Sequence, residues 1–149
     1  MVRTGILFAV LLATVALAGS ESDFVRLTSE DLQWEQLEPG LDMAVLEGDP
    51  RGEGYYILRA RFQPGIFSAP HYHPNTRYVT VIKGTWWTGT GTVWDKENAV
   101  PLTPGSYMKH PAGAAHYDGA RDEEVIVEIH GIAPAPLVYV DEAGKPLRE

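Results

Sequence analysis

From residue 43 onward the chain is a succession of short runs of aromatic and β-branched residues, each ended within a few positions by glycine or proline. Runs of this kind, with turn residues about every ten positions, read as strands of a β-rich domain. Met43 to Leu46 is the first, and Asp49-Pro50-Arg51-Gly52 turns the chain. Tyr55 to Phe62 (YYILRARF) is the second, ended by Pro64-Gly65. Arg77 to Lys83 (RYVTVIK) and Thr85 to Thr88 (TWWT) flank a turn at Gly84. Val93-Trp94 and Leu102 flank a polar loop, and Pro104-Gly105 opens a further hairpin. Val125 to Ile129 (VIVEI) and Leu137 to Val140 (LVYV) are the last two. Ahead of all these, Thr28-Ser29-Glu30-Asp31-Leu32 has the form of a capped helical turn leading into Trp34, closed by Pro39-Gly40. At least seven strands and almost no helix predict an all-β barrel or sandwich, and the pattern alone does not choose between the two. The 149 residues suit one domain, and 15 Gly with 11 Pro supply its turns.

The first 18 residues follow a different rule. Met1-Val2-Arg3 carries a positive charge, Ile6 to Leu17 is almost wholly apolar, and Ala16-Leu17-Ala18 has the small-x-small form of a signal-peptidase site. The apolar run is short for a bilayer span, and polar Ser20-Glu21-Ser22-Asp23 follows it. The expected division is a signal peptide over 1–18, an N-terminal arm over 19–45 and a barrel over 46–149, in a periplasmic or secreted protein. Loss of Arg3 with the signal leaves 20 acidic and 11 basic residues, a formal charge of −9. Such a surface disfavours nucleic acid and anionic membranes as partners. With no cysteine in the chain, thiol catalysis and lipid attachment to cysteine are excluded. Any metal site must therefore be built from His, Asp or Glu.

Five histidines are present: His71, His73, His110, His116 and His130. His71 and His73 are separated by one residue, and on an extended segment alternate side chains point to the same face. By itself an H-x-H pair is a weak signal. Its surroundings are more specific. Residues 65–84 read GIFSAPHYHPNTRYVTVIKG and residues 105–116 read GSYMKHPAGAAH. These stretches resemble the two motifs of the cupin superfamily, G-x5-H-x-H-x3-4-E-x6-G and G-x5-P-x-G-x2-H-x3-N. Gly65, His71, His73 and Gly84 fall at the first motif's spacing; Gly105, Pro111, Gly113 and His116 fall at the second's. Gly84 and Gly105 sit at tight turns that call for a positive φ or a close backbone approach. The resemblance implies a cupin-type jelly-roll β-barrel with His71, His73 and His116 binding one divalent metal ion. Pairing of barrels into a homodimer is a further expectation of the family likeness.

The chain departs from the family pattern at two places. Ala120 stands where the second motif ends in Asn. Arg77 stands where the first motif has its metal-binding Glu. Some cupin dioxygenases use three histidines without the Glu, so the likeness still implies a metal centre, with Arg77 drawing an anionic group toward it. The other reading makes the cavity an anion pocket of little metal affinity. Glu128 offers a compensating carboxylate if it turns inward to pair with Arg77 or reach the metal. The alternation in VIVEI otherwise puts Val125, Val127 and Ile129 in the core, with Glu128 and His130 in solvent. His110, immediately before Pro111, reads as a rim or turn residue. The aromatics Trp86, Trp87, Trp94, Tyr72, Tyr78, Tyr107 and Tyr117 are packing residues, one or two of which can wall the cavity. Nitrogen ligands and open positions suit Fe²⁺, Mn²⁺, Ni²⁺, Zn²⁺ or Cu²⁺. The expected activity is that of an oxygenase, isomerase or lyase on a small anionic molecule, with Arg77 orienting it and Tyr78 and Glu128 as candidate bases. A non-catalytic binding or sensor domain for a metal or small ligand is the alternative.

Overall fold

A computed structural model describes residues 24–147; the segment 1–18, expected to be a signal peptide, lies outside the described residues. Its strands are β1 (Glu35–Glu38), β2 (Leu41–Glu47), β3 (Gly54–Phe62), β4 (Phe67–Tyr72), β5 (Arg77–Lys83), β6 (Trp86–Thr90), β7 (Val100–Leu102), β8 (Tyr107–His110), β9 (His116–Ala120), β10 (Val125–Ala133) and β11 (Val138–Tyr139). No helix occurs among the described residues. The strands form two antiparallel sheets, one in the order β1-β2-β3-β10-β5-β8 and the other β11-β4-β9-β6-β7. No strand pairing joins the two sheets among the described residues, so the all-β expectation takes the form of two packed layers, an arrangement consistent with a jelly roll.

Alternation along the strands makes the core. On β3, Tyr56, Leu58, Ala60 and Phe62 are buried while Ile57, Arg59 and Arg61 face outward. On β10, Val125, Val127 and Ile129 are buried, and on β5, Val79 and Val81. Together with Leu41 and Met43 from β2 and with Trp86 and Ala120 from the other sheet, they form one apolar cluster between the layers. Each such side chain withdrawn from water contributes about 1.5–3 kcal/mol before the entropy of ordering is set against it. The outward arginines are engaged across strands, Arg61 with Asp42 at 2.8 Å and Arg59 with Glu128 at 3.0 Å.

Two expectations need correction. Thr28 to Leu32 is not a helical turn. The Asp31 amide donates to the Thr28 carbonyl at 3.2 Å, and the Asp31 carboxylate accepts from the Thr28 N–H and hydroxyl at 2.7 Å each, which closes a single turn with no helix after it. The stretch 19–45 is also not simply an arm. Glu35–Glu38 and most of Leu41–Glu47 fall within it, and β2 pairs along the length of β3 from Leu41↔Phe62 to Glu47↔Ile57. Gly84 has φ 73° and an added Cβ would lie 2.4 Å from the Glu124 carbonyl oxygen, so the β5–β6 turn requires glycine; Gly105 likewise has positive φ.

Candidate functional site

Three elements converge on the interior of the five-stranded sheet. His71 is the penultimate residue of β4, His73 follows the end of that strand, and His116 opens β9. All three are buried, with Tyr72 between the first pair turned partly outward, as alternation requires. β4 and β9 are neighbours, and His71 pairs directly with His116 across them. The three rings can each present a nitrogen so that all three atoms lie within 4.8 Å of one another. Ring centroids are 4.3 Å apart for His71 and His116, 5.1 Å for His71 and His73, and 5.7 Å for His73 and His116.

Local hydrogen bonds fix what these rings offer. Nδ1 of His71 lies 2.7 Å from the Ala69 carbonyl oxygen, and Nδ1 of His116 lies 3.0 Å from that of Ala114. A carbonyl only accepts, so Nδ1 carries the proton in both rings and Nε2 keeps its lone pair. Nε2 of His116 and both nitrogens of His73 are buried without any partner. Burial is the main reason that these imidazoles resist protonation. It brings His71 down to about 3 and His116 to about 4, and pushes His73 well below the ordinary histidine range. Three neutral, convergent imidazoles, two of them with buried nitrogens that lack a partner, are the donor set that a divalent transition metal needs, and the residues fit that group.

Facing the triad from the six-stranded sheet are Arg77 and His110, paired in register where β5 begins and β8 ends. Expected as a rim residue, His110 is instead buried, because the end of β8 turns its ring inward rather than toward the loop that starts at Pro111. Its ring stacks on His116 with centroids 3.7 Å apart, and Nη2 of Arg77 lies 3.4 Å from its Nδ1. The Arg77 guanidinium is buried, its Nε lacks a partner, and the Tyr56 hydroxyl sits beside it without a well-formed hydrogen bond. Asp118, two residues after His116 on the same face of β9, is buried too. One of its oxygens is 3.9 Å from Nε2 of His116 and the other accepts a long bond, 3.4 Å, from the Trp86 indole. Burial raises the Asp118 carboxyl to about 6, with Arg77 pulling the other way. Asp118 thus restores a carboxylate to a cavity whose first motif lacks one, from a different strand. The period-2 rule applied from His116 onward is the signal that finds it.

Several of these groups line a cavity of about 400 Å³. The triad members His71 and His73, with Arg77, Asp118 and Ser68, supply its polar wall, while Leu41, Met43, Leu58, Ala60, Phe62 and Ile129 supply an apolar one. Of the aromatic residues singled out in the sequence, Trp86 lines this cavity, whereas Tyr117 is buried behind the sheet with its hydroxyl on the Asp95 carbonyl.

The structure brings His71, His73, His116 and Arg77 together but not Tyr78 or Glu128. Tyr78 follows Arg77 on β5 and so points the opposite way, 46% exposed. Glu128 lies on the outer face of β10, where Arg59 grips one oxygen through two nitrogens at 3.0 Å and Nε2 of His130 lies 3.1 Å from the other. The inward placement of Glu128 against Arg77 is therefore overturned, since the all-apolar face of VIVEI takes the core.

Among solved structures, the fold is similar to that of the polyketide cyclase RemF from Streptomyces resistomycificus (TM-score 0.65, 18% identity, 80% of this chain and 88% of that one). It is also similar to a sugar phosphate isomerase of the cupin superfamily from Silicibacter pomeroyi (0.62, 19%, 78% and 82%) and to KdgF from a Halomonas species (0.57, 16%, 71% and 91%). At these identities the likeness is one of fold. No curated protein matches the sequence. A profile of the ChrR cupin-like domain matches residues 22–133.

Proposed function

The chain belongs to the ChrR cupin-like family, and from that footing we propose that it holds one divalent transition-metal ion on His71, His73 and His116 and acts there on a small organic anion. One observation carries the proposal: three buried imidazoles converge, with ring nitrogens of His73 and His116 lacking any partner and with His71 and His73 on the wall of a cavity large enough for a small molecule. A bound ion would supply Lewis acidity and, for redox-active metals, oxygen chemistry, in keeping with an oxygenase, isomerase or lyase. The chain's own groups do the rest. Arg77 holds an anionic group in a setting that excludes bulk water, where a charged hydrogen bond is worth most. His110, stacked on His116 and next to Arg77, keeps both in place. Asp118 contributes the single carboxylate of the cavity lining. Export through a signal peptide over residues 1–18 is part of the same reading, and N-terminal sequencing of protein recovered from outside the cytoplasm tests it.

Metal analysis of protein purified without a His tag tests the core of the reading. The wild type should carry about one transition-metal ion per chain and His116→Ala close to none; equal content in both would refute it. Oxygen uptake and product formation on small acids then separate catalysis from binding. A non-catalytic binder is the second reading, and the outward placement of Tyr78 and Glu128 favours it, because both candidate bases lie outside the cavity.

A further inference from the structure

The cavity is asymmetric in a way that restricts its ligand. Arg77, with its Nε buried, is the one cation on the lining withdrawn from solvent. Arg51, also on the lining, has a side chain 62% exposed and is already bound to Glu35 at 2.8 Å. Four other cations of the described chain are satisfied by carboxylates, whereas Arg77 has Nε buried with no acceptor, a histidine ring nitrogen at 3.4 Å from Nη2, and the Tyr56 hydroxyl and Asp118 carboxylate nearby without a well-formed hydrogen bond or ion pair. A buried guanidinium donor left unpaired is costly, and in native proteins such a group ordinarily meets a partner that the protein atoms alone do not provide. Its fork of donors matches a planar two-oxygen acceptor. Beyond Arg77 and the triad, the lining has no other free cation that would welcome a second charge, since Arg51 is exposed and paired with Glu35. Leu41, Met43, Leu58, Ala60, Phe62 and Ile129 face the space, and the Asp118 carboxylate repels anions. Polyhydroxylated bodies fare no better, because each hydroxyl against these side chains would lose its hydrogen bonds to water.

We infer that the ligand is an apolar monoanion, a carboxylate or enolate whose oxygens sit between Arg77 and the triad and whose hydrocarbon body lies against the six-stranded sheet. Sugar phosphates and dicarboxylates are disfavoured. This rests on the metal-site reading above for the position of the triad and the charge of its ion, while the selection for an apolar body comes from Asp118 and the apolar wall.

Calorimetric titration of the full chain loaded with Zn²⁺, which is redox-silent, tests it with four probes at neutral pH. They are phenylpyruvate, its uncharged counterpart phenylacetone, the dianion oxaloacetate and ribose phosphate. Phenylpyruvate should bind at least about tenfold more tightly than each of the other three, since one charged two-point hydrogen bond and the burial of a ring each contribute at that scale. Arg77→Met should remove the preference over phenylacetone while leaving zinc content unchanged. Should that variant fail to fold, the wild-type ranking stands as the test by itself. Equal affinity for phenylpyruvate and phenylacetone, or a preference for oxaloacetate or ribose phosphate, would overturn the inference. If the chain takes up no metal, the metal-site reading falls, and the same four titrations on the metal-free chain still decide the ligand class.

Discussion

The two sheets present opposite interiors to the same space. The six-stranded sheet turns inward Leu41, Met43, Leu58, Ala60, Phe62, Val79, Val81, Val125, Val127 and Ile129, an apolar wall broken by Arg77 and His110 near one end. The five-stranded sheet turns inward Ser68, His71, Thr88, His116 and Asp118, and there the buried apolar members are Trp86 and Ala120. One layer carries most of the apolar burial and the other most of the buried polar groups. The contrast follows from burial energetics. A sheet whose inner face carries five polar groups gains little from being covered, so the opposite sheet must provide most of the hydrophobic free energy for both.

Removing one polar member should have the largest effect on binding and a modest one on folding. His116→Ala is expected to weaken metal affinity by about a thousandfold, as one of three ligand bonds to a structural-strength ion is lost. Competition with a calibrated chelator checks this. A loss of less than about tenfold would mean that His116 is not a ligand and that the two faces do not divide the work in this way.

The acid response sharpens the same contrast. Burial lowers all four interior histidines, His71 to about 3, His116 to about 4, and His73 and His110 further. A histidine lowered in the folded state is neutral there while its unfolded counterpart, near 6.5, takes up a proton; its contribution is whole above that pH and is lost as pH falls. Asp118 acts with the opposite sign. Raised to about 6, it binds a proton in the folded chain before the unfolded chain does, and so adds stability as pH drops through 6. Four histidines outweigh one carboxylate. The metal-free chain should therefore lose stability on the order of 4 kcal/mol per pH unit near pH 5, from about 1.4 kcal/mol for each of three net protons. Denaturant melts between pH 7 and pH 5 measure it, and a flat profile would show that the interior is wet. Bound metal should flatten the upper part of the curve, because ligated imidazoles take no proton until the ion leaves.

Val127→Ala probes the apolar layer. Val127 is wholly buried and does not line the cavity, so its truncation should cost about 2 kcal/mol with metal affinity within about threefold of the wild type. Leu58, which does line the cavity, should be more tolerant of truncation than its size implies, since the space it vacates adjoins one that already exists. Thermal melts of the two variants compare them directly.

The sequence disclosed the apolar layer far better than the polar one. β5 falls on Arg77 to Lys83 as RYVTVIK reads, and the core face of β10 is the apolar face of VIVEI, because alternation over five or more residues is a strong signal. β4 carries two of the three convergent imidazoles, yet FSAPHY has a proline, a serine and a histidine and no clean period, so the motif spacing rather than hydrophobicity located it. β1 reads EQLE and is exposed on three of four positions, which leaves no burial pattern to read; pairing with β2 makes it a strand. His110 and Asp118 share one physical cause for being overlooked. A polar residue on a strand has no hydropathy signature of the face it occupies. Its side is known only once a neighbour's side is known, as His116 gives it for Asp118.

The smallest expected effect belongs to the outer face, and it bears on whether the two faces of β10 are independent. Glu128 joins Arg59 and His130, whose Nδ1 lies 2.6 Å from the Tyr55 hydroxyl, in a chain of four side chains across β3 and β10. The two Glu128 bonds from Arg59 share a single oxygen, and the pair is partly exposed, so solvent screening keeps its value low. Neutralising it by Glu128→Gln should therefore cost no more than about 1 kcal/mol. Metal content and any activity should be unchanged, because the strand backbone and the Val127 and Ile129 side chains separate this cluster from Arg77 and the triad. A Glu128→Gln protein that folds normally yet loses metal or turnover would mean that charge on the outer face reaches the cavity through the sheet. The division of labour between the layers would then be a property of packing alone and not of the electrostatics.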